Sequence, residues 1–421
     1  MPSEHSRISV EAELILCCTR MHLDADTLTR LRTLLRQELD WESLIQTALE
    51  HGVMPLLYSS LSTHCPESVP KNSMDRLRGH YRANVQHSFF MAAELLKLLN
   101  LFETHGINAI PFKGPVLAAS VYRDLSLRQF GDLDILVHKQ NILRAAELLV
   151  SQGYKRGGGE GDGMDHDDHD DDHDDVAYLG PNYYVFTQPE RGVRIDLQWR
   201  ITEKYFSFSL DNERLWGRLA PVSIGGKSVL TFAPMDLLLI LCVHGSKHRW
   251  EKLKWVCDVA ELVRAHGQQI DWTKIQQEAS SMGVGRMLGL GLFLAHELLG
   301  ARLPGEVAKR VESDRRVRSV ARQISEKLFA PADKPTGDFQ RVVFYLKAKD
   351  RWQDRWRFCS RYVSQFVHKA ITPNSKDRAG LPLPASFFFL HYFFRPLRLM
   401  VEYGRLGVAR VSKRGGSTRD S

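Results

Sequence analysis

Between residues 8 and 62, apolar positions recur at helical spacing, as in Leu28, Leu31, Leu34 and Leu35, then Trp41, Leu44 and Ile45. Asp40 stands directly before Trp41, with Glu42 and Ser43 behind it, which is a helix-start pattern. The stretch CPESVPKNS reads as a loop, and a long amphipathic run from about Met74 to His105 follows it. Residues 1–105 are thus expected to form an N-terminal helical region, and the pattern there names no chemistry.

The period changes at Ile107. INAIPFKG is a short apolar run ending at Lys113–Gly114 and reads as a strand, and PVLAASVYRD after it as a short helix. LDILV is a second strand and Gln140 to Gln152 a second helix. YYVFT and VRIDLQW, at Tyr183–Thr187 and Val193–Trp199, are two more strands. This order predicts a compact α/β core over 106–232. It is interrupted at 157–175 by GGGEGDGMDHDDHDDDHDD, too poor in apolar residues to pack and expected to be disordered. A second helical region is expected over 233–330. A loop at PADKPTGD then leads into a basic, aromatic region, 331–421. The predicted fold class is α+β: a small mixed β-sheet core flanked by N- and C-terminal helical regions.

Composition changes this picture little. Of 421 residues, 43% are hydrophobic and 25% charged, ordinary values for a globular chain. No basic segment leads into an apolar one at the N-terminus, so no signal peptide is expected. No uninterrupted apolar run is long enough to span a bilayer. The nearest, SFFFLHYFFRPLRLM, is broken by His391, Arg395 and Pro396. Cys17, Cys18, Cys65, Cys242, Cys257 and Cys359 form no CxxC pair, which fits a reducing, cytoplasmic compartment. The net charge is +7, but from Arg341 onward 17 Lys and Arg face 5 Asp and Glu. The excess basicity belongs to the tail, so a nucleic-acid partner is not indicated. The tail's arginines and aromatics suit either peripheral contact with an anionic membrane or docking on the protein itself.

The chemistry gathers in the α/β core. Asp132 and Asp134 in GDLDILV lie two apart on a strand, so they share a face while Leu133 and Ile135 take the other. Carboxylates held this close repel unless a cation or a proton intervenes. Oxygen ligands of this kind suit Mg²⁺; the alternative is a solvated strand end. Upstream, Lys113-Gly114-Pro115 sits at a strand-to-helix junction, where Gly114 permits close backbone approach and the first helical turn offers N–H groups to an anion. Lys113 either addresses phosphate there or is an exposed loop lysine. Arg128, four residues before Asp132, is either a phosphate clamp or half of a structural ion pair. Asp196, between Ile195 and Leu197, offers a third acid for a metal or for the proton of an attacking hydroxyl; otherwise it faces solvent.

A glycine at a strand–helix turn, D-x-D on the next strand and a later lone strand acid resemble the DNA polymerase β-type nucleotidyltransferase superfamily. More closely, KGPVLAASVY, R-x-x-GDLDILV, IDLQWR and LCVHGSKHRWEKLKWVCDVAELV (241–263) resemble the uncharacterised bacterial nucleotidyltransferases of the NTP_transf_5 type, over roughly Trp41 to Gly267. The resemblance implies Asp132, Asp134 and Asp196 as ligands of Mg²⁺ or Mn²⁺, with Gly114 in the phosphate turn. It implies a nucleoside triphosphate as substrate, transfer of its nucleoside monophosphate to an unknown acceptor hydroxyl or phosphate, and release of pyrophosphate. Two positions depart from the pattern: Pro115 follows Gly114 in place of a second small residue, and Gln198 stands where a histidine is expected. The alternatives are a nucleotide-binding or scaffold protein without turnover, and an accessory protein of polysaccharide synthesis at a membrane surface.

In HGSKHRWEKLKWVCD, residues His244, Lys247, His248, Glu251, Lys254 and Asp258 are spaced as one polar stripe on a single helix. That stripe either closes over the nucleotide, with Lys247 or His248 on phosphate, or forms an interdomain hydrogen-bond network. His244 and His248 also have zinc-pair spacing, though without an evident third ligand. In the insert, His166, His169 and His173 lie among nine aspartates from Asp162 to Asp175, giving either a weak divalent-cation site or a solvated loop.

Overall fold

The structure is a computed structural model that describes residues 8–157, 183–201, 212–330 and 338–371. The acidic insert beyond Gly157, the loop at 331–337 and the tail after Ile371 lie outside the described residues. The N-terminal helices are α1 (Val10–Cys18), α2 (Ala25–Leu34), α3 (Trp41–Glu50), α4 (Met54–His64) and α5 (Lys71–Thr104). The core follows as β1 (Ala109–Pro111), the single turn α6 (Gly114–Leu117), β2 (Asp132–Val137), α7 (Ile142–Ser151), β3 (Lys155–Arg156), β4 (Tyr183–Gln188) and β5 (Val193–Gln198). Then come α8 (Asn212–Trp216), the hairpin β6 (Leu219–Ile224) and β7 (Lys227–Phe232), α9 (Pro234–Lys247), α10 (Leu253–His266) and α11 (Trp272–Met282). The last helices are α12 (Gly285–Leu299), α13 (Gly305–Ser313), α14 (Arg315–Leu328), α15 (Asp338–Ala348) and α16 (Trp352–Ile371). The chain divides after Asp354 into two units, and everything that follows concerns the first. Among the described residues no helix is long and apolar enough to cross a membrane.

The fold is α+β, as the patterning predicts. Five strands form one mixed sheet in the order β1-β2-β5-β4-β3, with β2 and β5 parallel and the other pairs antiparallel. Strand alternation sorts the residues of β2 and β5 between two environments. Leu133, Ile135, Val137, Ile195 and Leu197 enter an apolar core with Leu95, Leu98 and Phe102 of α5 and Ala145 and Leu149 of α7. The opposite face carries Asp132, Asp134, Arg194, Asp196 and Gln198. A second, larger core joins α1–α4 to α9–α14, so the two helical regions share one interior. Each aliphatic side chain fully buried in either core contributes roughly 1.5–3 kcal/mol.

Several helix starts follow from their caps. Asp24 accepts from Thr27 N–H at 2.8 Å, Asp40 from Ser43 N–H at 3.0 Å and Asp271 from Lys274 N–H at 2.9 Å. The 34 residues of α5 give it a length of roughly 50 Å. That length carries His80, Asn84 and His87 to one location and Leu95 to Phe102 to the sheet core.

The stripe expected on one helix is divided between two. Helix α9 ends at Lys247 and α10 begins at Leu253, with Arg249 and Trp250 between them at φ 52° and 57°. Trp250 is the cause. Its N–H bonds the Gly245 carbonyl at 2.8 Å, and its indole is fully buried. A Cβ on Gly245 would lie 2.5 Å from the Trp250 ring, and one on Gly291 2.6 Å from Cys242 Sγ. The two glycines make the slot into which the indole turns, and its burial offsets a left-handed turn that costs about 1–3 kcal/mol per strained residue. Gly245→Val is expected to overfill this slot and lower unfolding stability by about 1–3 kcal/mol. A denaturant midpoint equal to wild type would show that the turn does not depend on that contact.

Candidate active site

β2 and β5 pair in parallel with Asp134 opposite Asp196, so the two carboxylates stand on neighbouring strands and the same face. Asp132, one pleat earlier on β2, shares that face. All three line one cavity of about 630 Å³. Asp134 is nearly inaccessible, and its Oδ1 accepts from Lys113 Nζ at 2.7 Å and from Gln198 Nε2 at 2.9 Å. Asp196 Oδ1 accepts from Arg194 Nε at 3.2 Å. Asp132 has no hydrogen-bonding or ion-pair partner among the described residues.

Electrostatics follow from this crowding. Burial, then the charges of Asp132 and Asp196, push the Asp134 carboxyl up to about 6 despite the attraction of Lys113. The Asp196 carboxyl is also pushed up, by burial and then by Asp132, with Arg194 opposing. Burial alone would lower the Lys113 ammonium, but the charges of Asp134, Asp132 and Asp196 outweigh it and hold the group above its ordinary value.

Lys113 is therefore not an exposed loop lysine. It is delivered by the turn after β1, where Gly114 takes φ 54°, and a Cβ there would lie 3.0 Å from the Asp132 carbonyl oxygen. The close approach predicted for Gly114 is thus to the backbone of the first acid. The helix it opens is a single turn running into a π-turn at Ala118–Tyr122, and Pro115 removes one N–H from it. A macrodipole argument has little length to act on there.

Arg128 takes the ion-pair alternative, with a partner other than its sequence neighbour. Its Nε and Nη2 reach Asp258 Oδ1 and Oδ2 of α10 at 2.8 and 3.0 Å, and the Tyr122 hydroxyl donates to the same Asp258 Oδ1 at 2.8 Å. Both members of the pair are buried. Two nitrogens of the expected phosphate clamp are thus committed to fastening the β2 approach onto α10. Arg128 still lines the cavity.

The same cavity also carries basic groups. His244, Lys247 and His248 at the end of α9 and Lys252 and Lys254 at the start of α10 all line the cavity, with Arg200 just past β5. The helix break therefore turns the expected stripe into two ends that meet at the site. The rings of His244 and His248 lie 4.6 Å apart, and burial, followed by the Lys113 charge, holds the His244 imidazole well below its ordinary value. The N-terminal helices supply the third side. His80, Asn84 and His87 of α5 line the cavity, and His87 Nε2 donates to the Phe130 carbonyl at 3.1 Å. His51, after α3, accepts from Leu253 N–H at 3.3 Å on its ring and from Lys254 N–H at 3.1 Å on its carbonyl, fixing where α10 begins.

Sequence reading did not single out Arg194, Arg200, Lys252 or the α5 residues. For the first two a signal existed: Arg194, Asp196, Gln198 and Arg200 alternate along VRIDLQWR. For the α5 residues there was none, because their place depends on packing between distant segments.

Among the described residues, no set of three or more His, Cys, Asp or Glu side chains stands ready-arranged around a metal position. The donors themselves fit a hard divalent cation. They are all carboxylate oxygens, and two of the carboxyls are pushed up by burial and then by the charge of their neighbours.

Fold and site define an α+β protein whose small mixed sheet presents clustered acids to a cavity that basic residues of α9 and α10 also line. Residues 37–300 match the family described as uncharacterised nucleotidyltransferase, and the chain belongs to that family. No curated protein and no solved structure matches it.

Truncating one member of the buried Arg128–Asp258 pair leaves a buried charge behind. Arg128→Met should cost about 3–5 kcal/mol, and Arg128→Met with Asp258→Asn distinctly less than the sum of the two single changes. Additive losses in chemical denaturation would argue against a coupled pair. A raised carboxyl binds its proton more tightly folded than unfolded, so its contribution to stability is greatest at low pH and is lost as pH rises. For Asp134 in metal-free protein the loss should run from its ordinary value of 3.8 to about 6. Asp134→Asn should flatten the stability–pH curve across that window, and an unchanged slope would contradict the shift.

Proposed function

We propose that this member of the nucleotidyltransferase family transfers a nucleoside monophosphate from a nucleoside triphosphate to an acceptor hydroxyl or phosphate, with Asp132, Asp134 and Asp196 holding Mg²⁺ or Mn²⁺. The observation that carries the reading is the parallel register of Asp134 with Asp196, beside Asp132, in a cavity that Lys247, Lys252 and Lys254 also line. Acids alone would suit a cation and a basic cleft alone an anion. Both in one cavity suit a polyphosphate taken up with its counter-cation.

In this reading the acceptor oxygen attacks the α-phosphorus, a new P–O bond forms, and the bond to the departing pyrophosphate breaks. When bound, the cation polarises phosphate oxygens and steadies the charge that builds on attacking and leaving groups. Asp196, whose proton affinity burial already raises, takes the proton of an acceptor hydroxyl. Lys247 and His248 from the end of α9, and Arg200 from just past β5, orient the triphosphate, and Lys113 approaches it from the turn after β1. Arg128 acts one step back, by fixing α10.

The test is incubation of the full chain with each labelled triphosphate, Mg²⁺ and host lysate, following both label transfer and released pyrophosphate. Asp132→Ala/Asp134→Ala is expected to abolish transfer, and Asp196→Asn to slow it by about 10²–10⁴-fold. Transfer by the double variant at the wild-type rate would end this reading.

A further inference from the structure

Lys113 does more in this structure than stand near the acids. Its ammonium is 2.7 Å from Asp134 Oδ1, and its charge is felt by Asp134, Asp132 and Asp196 alike. Its side chain is only 13% exposed. The turn that delivers it is fixed by the approach of Gly114 to the Asp132 carbonyl. The carboxylate it engages is also the most enclosed of the three, with Gln198 on the same oxygen.

We infer that Lys113 is the built-in counter-ion of the acid cluster, that it competes with a divalent cation for Asp134, and that entry of the cation releases it toward the phosphates. The inference rests on the metal-binding reading above and deepens it. The argument is one of exclusion. Mg²⁺ binds carboxylate oxygens at about 2.0–2.1 Å, so a cation on Asp134 would stand within a few ångströms of an ammonium that already touches that carboxylate. Two cations at that range beside a buried carboxylate repel, and the lysine is the one on a flexible stem. Its backbone is pinned, so the ammonium moves by rotation about its side-chain bonds into the same cavity that Lys247 and Arg200 line. Cation and triphosphate binding then become linked through Lys113: whatever displaces it from Asp134 makes it available to phosphate, and phosphate that holds it leaves Asp134 open.

The test uses the full chain and Mn²⁺ alone, without nucleotide, titrated by calorimetry and by Mn²⁺ paramagnetic resonance. Lys113→Met removes the competitor and should bind Mn²⁺ about tenfold or more tightly than wild type, while Lys113→Arg, which keeps the charge, should not. Lys113→Met should also lose thermal stability in chelator and recover more on adding Mn²⁺ than wild type does. Lys113→Gln, which keeps a donor for Asp134 without the charge, reads the same affinity if the methionine variant does not fold. Equal Mn²⁺ affinity in wild type and the uncharged variants overturns the competition and leaves the metal reading standing. No Mn²⁺ binding by any of them, with Asp132→Asn/Asp134→Asn indistinguishable from wild type, removes the metal reading and this inference with it.

Discussion

Two carboxylates in register on adjacent parallel strands sit about one strand spacing apart, roughly 4.7–4.9 Å between backbones. At the rim of a sheet, water would screen them. Here Asp134 is buried against the sheet, Asp196 faces it, and Asp132 follows one pleat away. That arrangement is unfavourable by itself, and much of the surrounding structure reads as a response to it. The turn after β1 bends at Gly114 so that Lys113 reaches Asp134. Gln198, where a histidine was expected, gives that carboxylate a second donor, and Arg194 takes Asp196. These contacts moderate the repulsion without removing it, so burial first, and then the neighbouring acids, still make both carboxyls hold their protons more tightly than usual. A site whose residual charge is negative after its own cations are counted is suited to bind one more.

The helices are fastened to this small sheet at a few polar points. The buried Arg128–Asp258 pair, with Tyr122 on the same carboxylate, joins the approach to β2 to the middle of α10. His51 holds the start of α10 through both its ring and its carbonyl. Helix α5 serves two regions, with its first half at the cavity and its second half in the core beneath the sheet. Such polar anchors add specificity of docking to the non-directional hydrophobic contacts of the two cores, because a buried charge left without its partner is costly.

The alternation in GDLDILV and VRIDLQW made strands β2 and β5 readable, with Asp132 and Asp134 on one face and Asp196 turned away from Ile195 and Leu197, since period two follows from backbone geometry alone. The register that sets Asp196 beside Asp134 is tertiary. The long helical pattern of α5 and the cap at Asp40 were readable for the same kind of local reason. The partner of Arg128 was not, because Asp258 lies 130 residues away and only packing brings it there. The break after Lys247 was hidden because the polar spacing continues in phase on both sides, while its cause, Trp250 seated between Gly245 and Gly291, is again tertiary. The β6–β7 hairpin carries a local signal in Gly225–Gly226, a tight-turn pair between Ile224 and Lys227. Strand β3, two residues long, offered too short a pattern to register.

A cavity with acids on one wall and lysines on another is unstable to collapse, since flexible lysines reach for any carboxylate within range. Lys113 has done so. Lys247, Lys252 and Lys254 are brought to the cavity by the α9–α10 turn, in which the buried Trp250 and the Arg249–Glu251 ion pair both take part. Packing thus places these lysines and the acids on the lining of one cavity of about 630 Å³. For the proposed reaction that shared lining is the useful property. A triphosphate with its cation carries both signs of charge, so one ligand meets acids and lysines together. Charges held in place by packing before a ligand binds are the kind that serve a transition state better than water does.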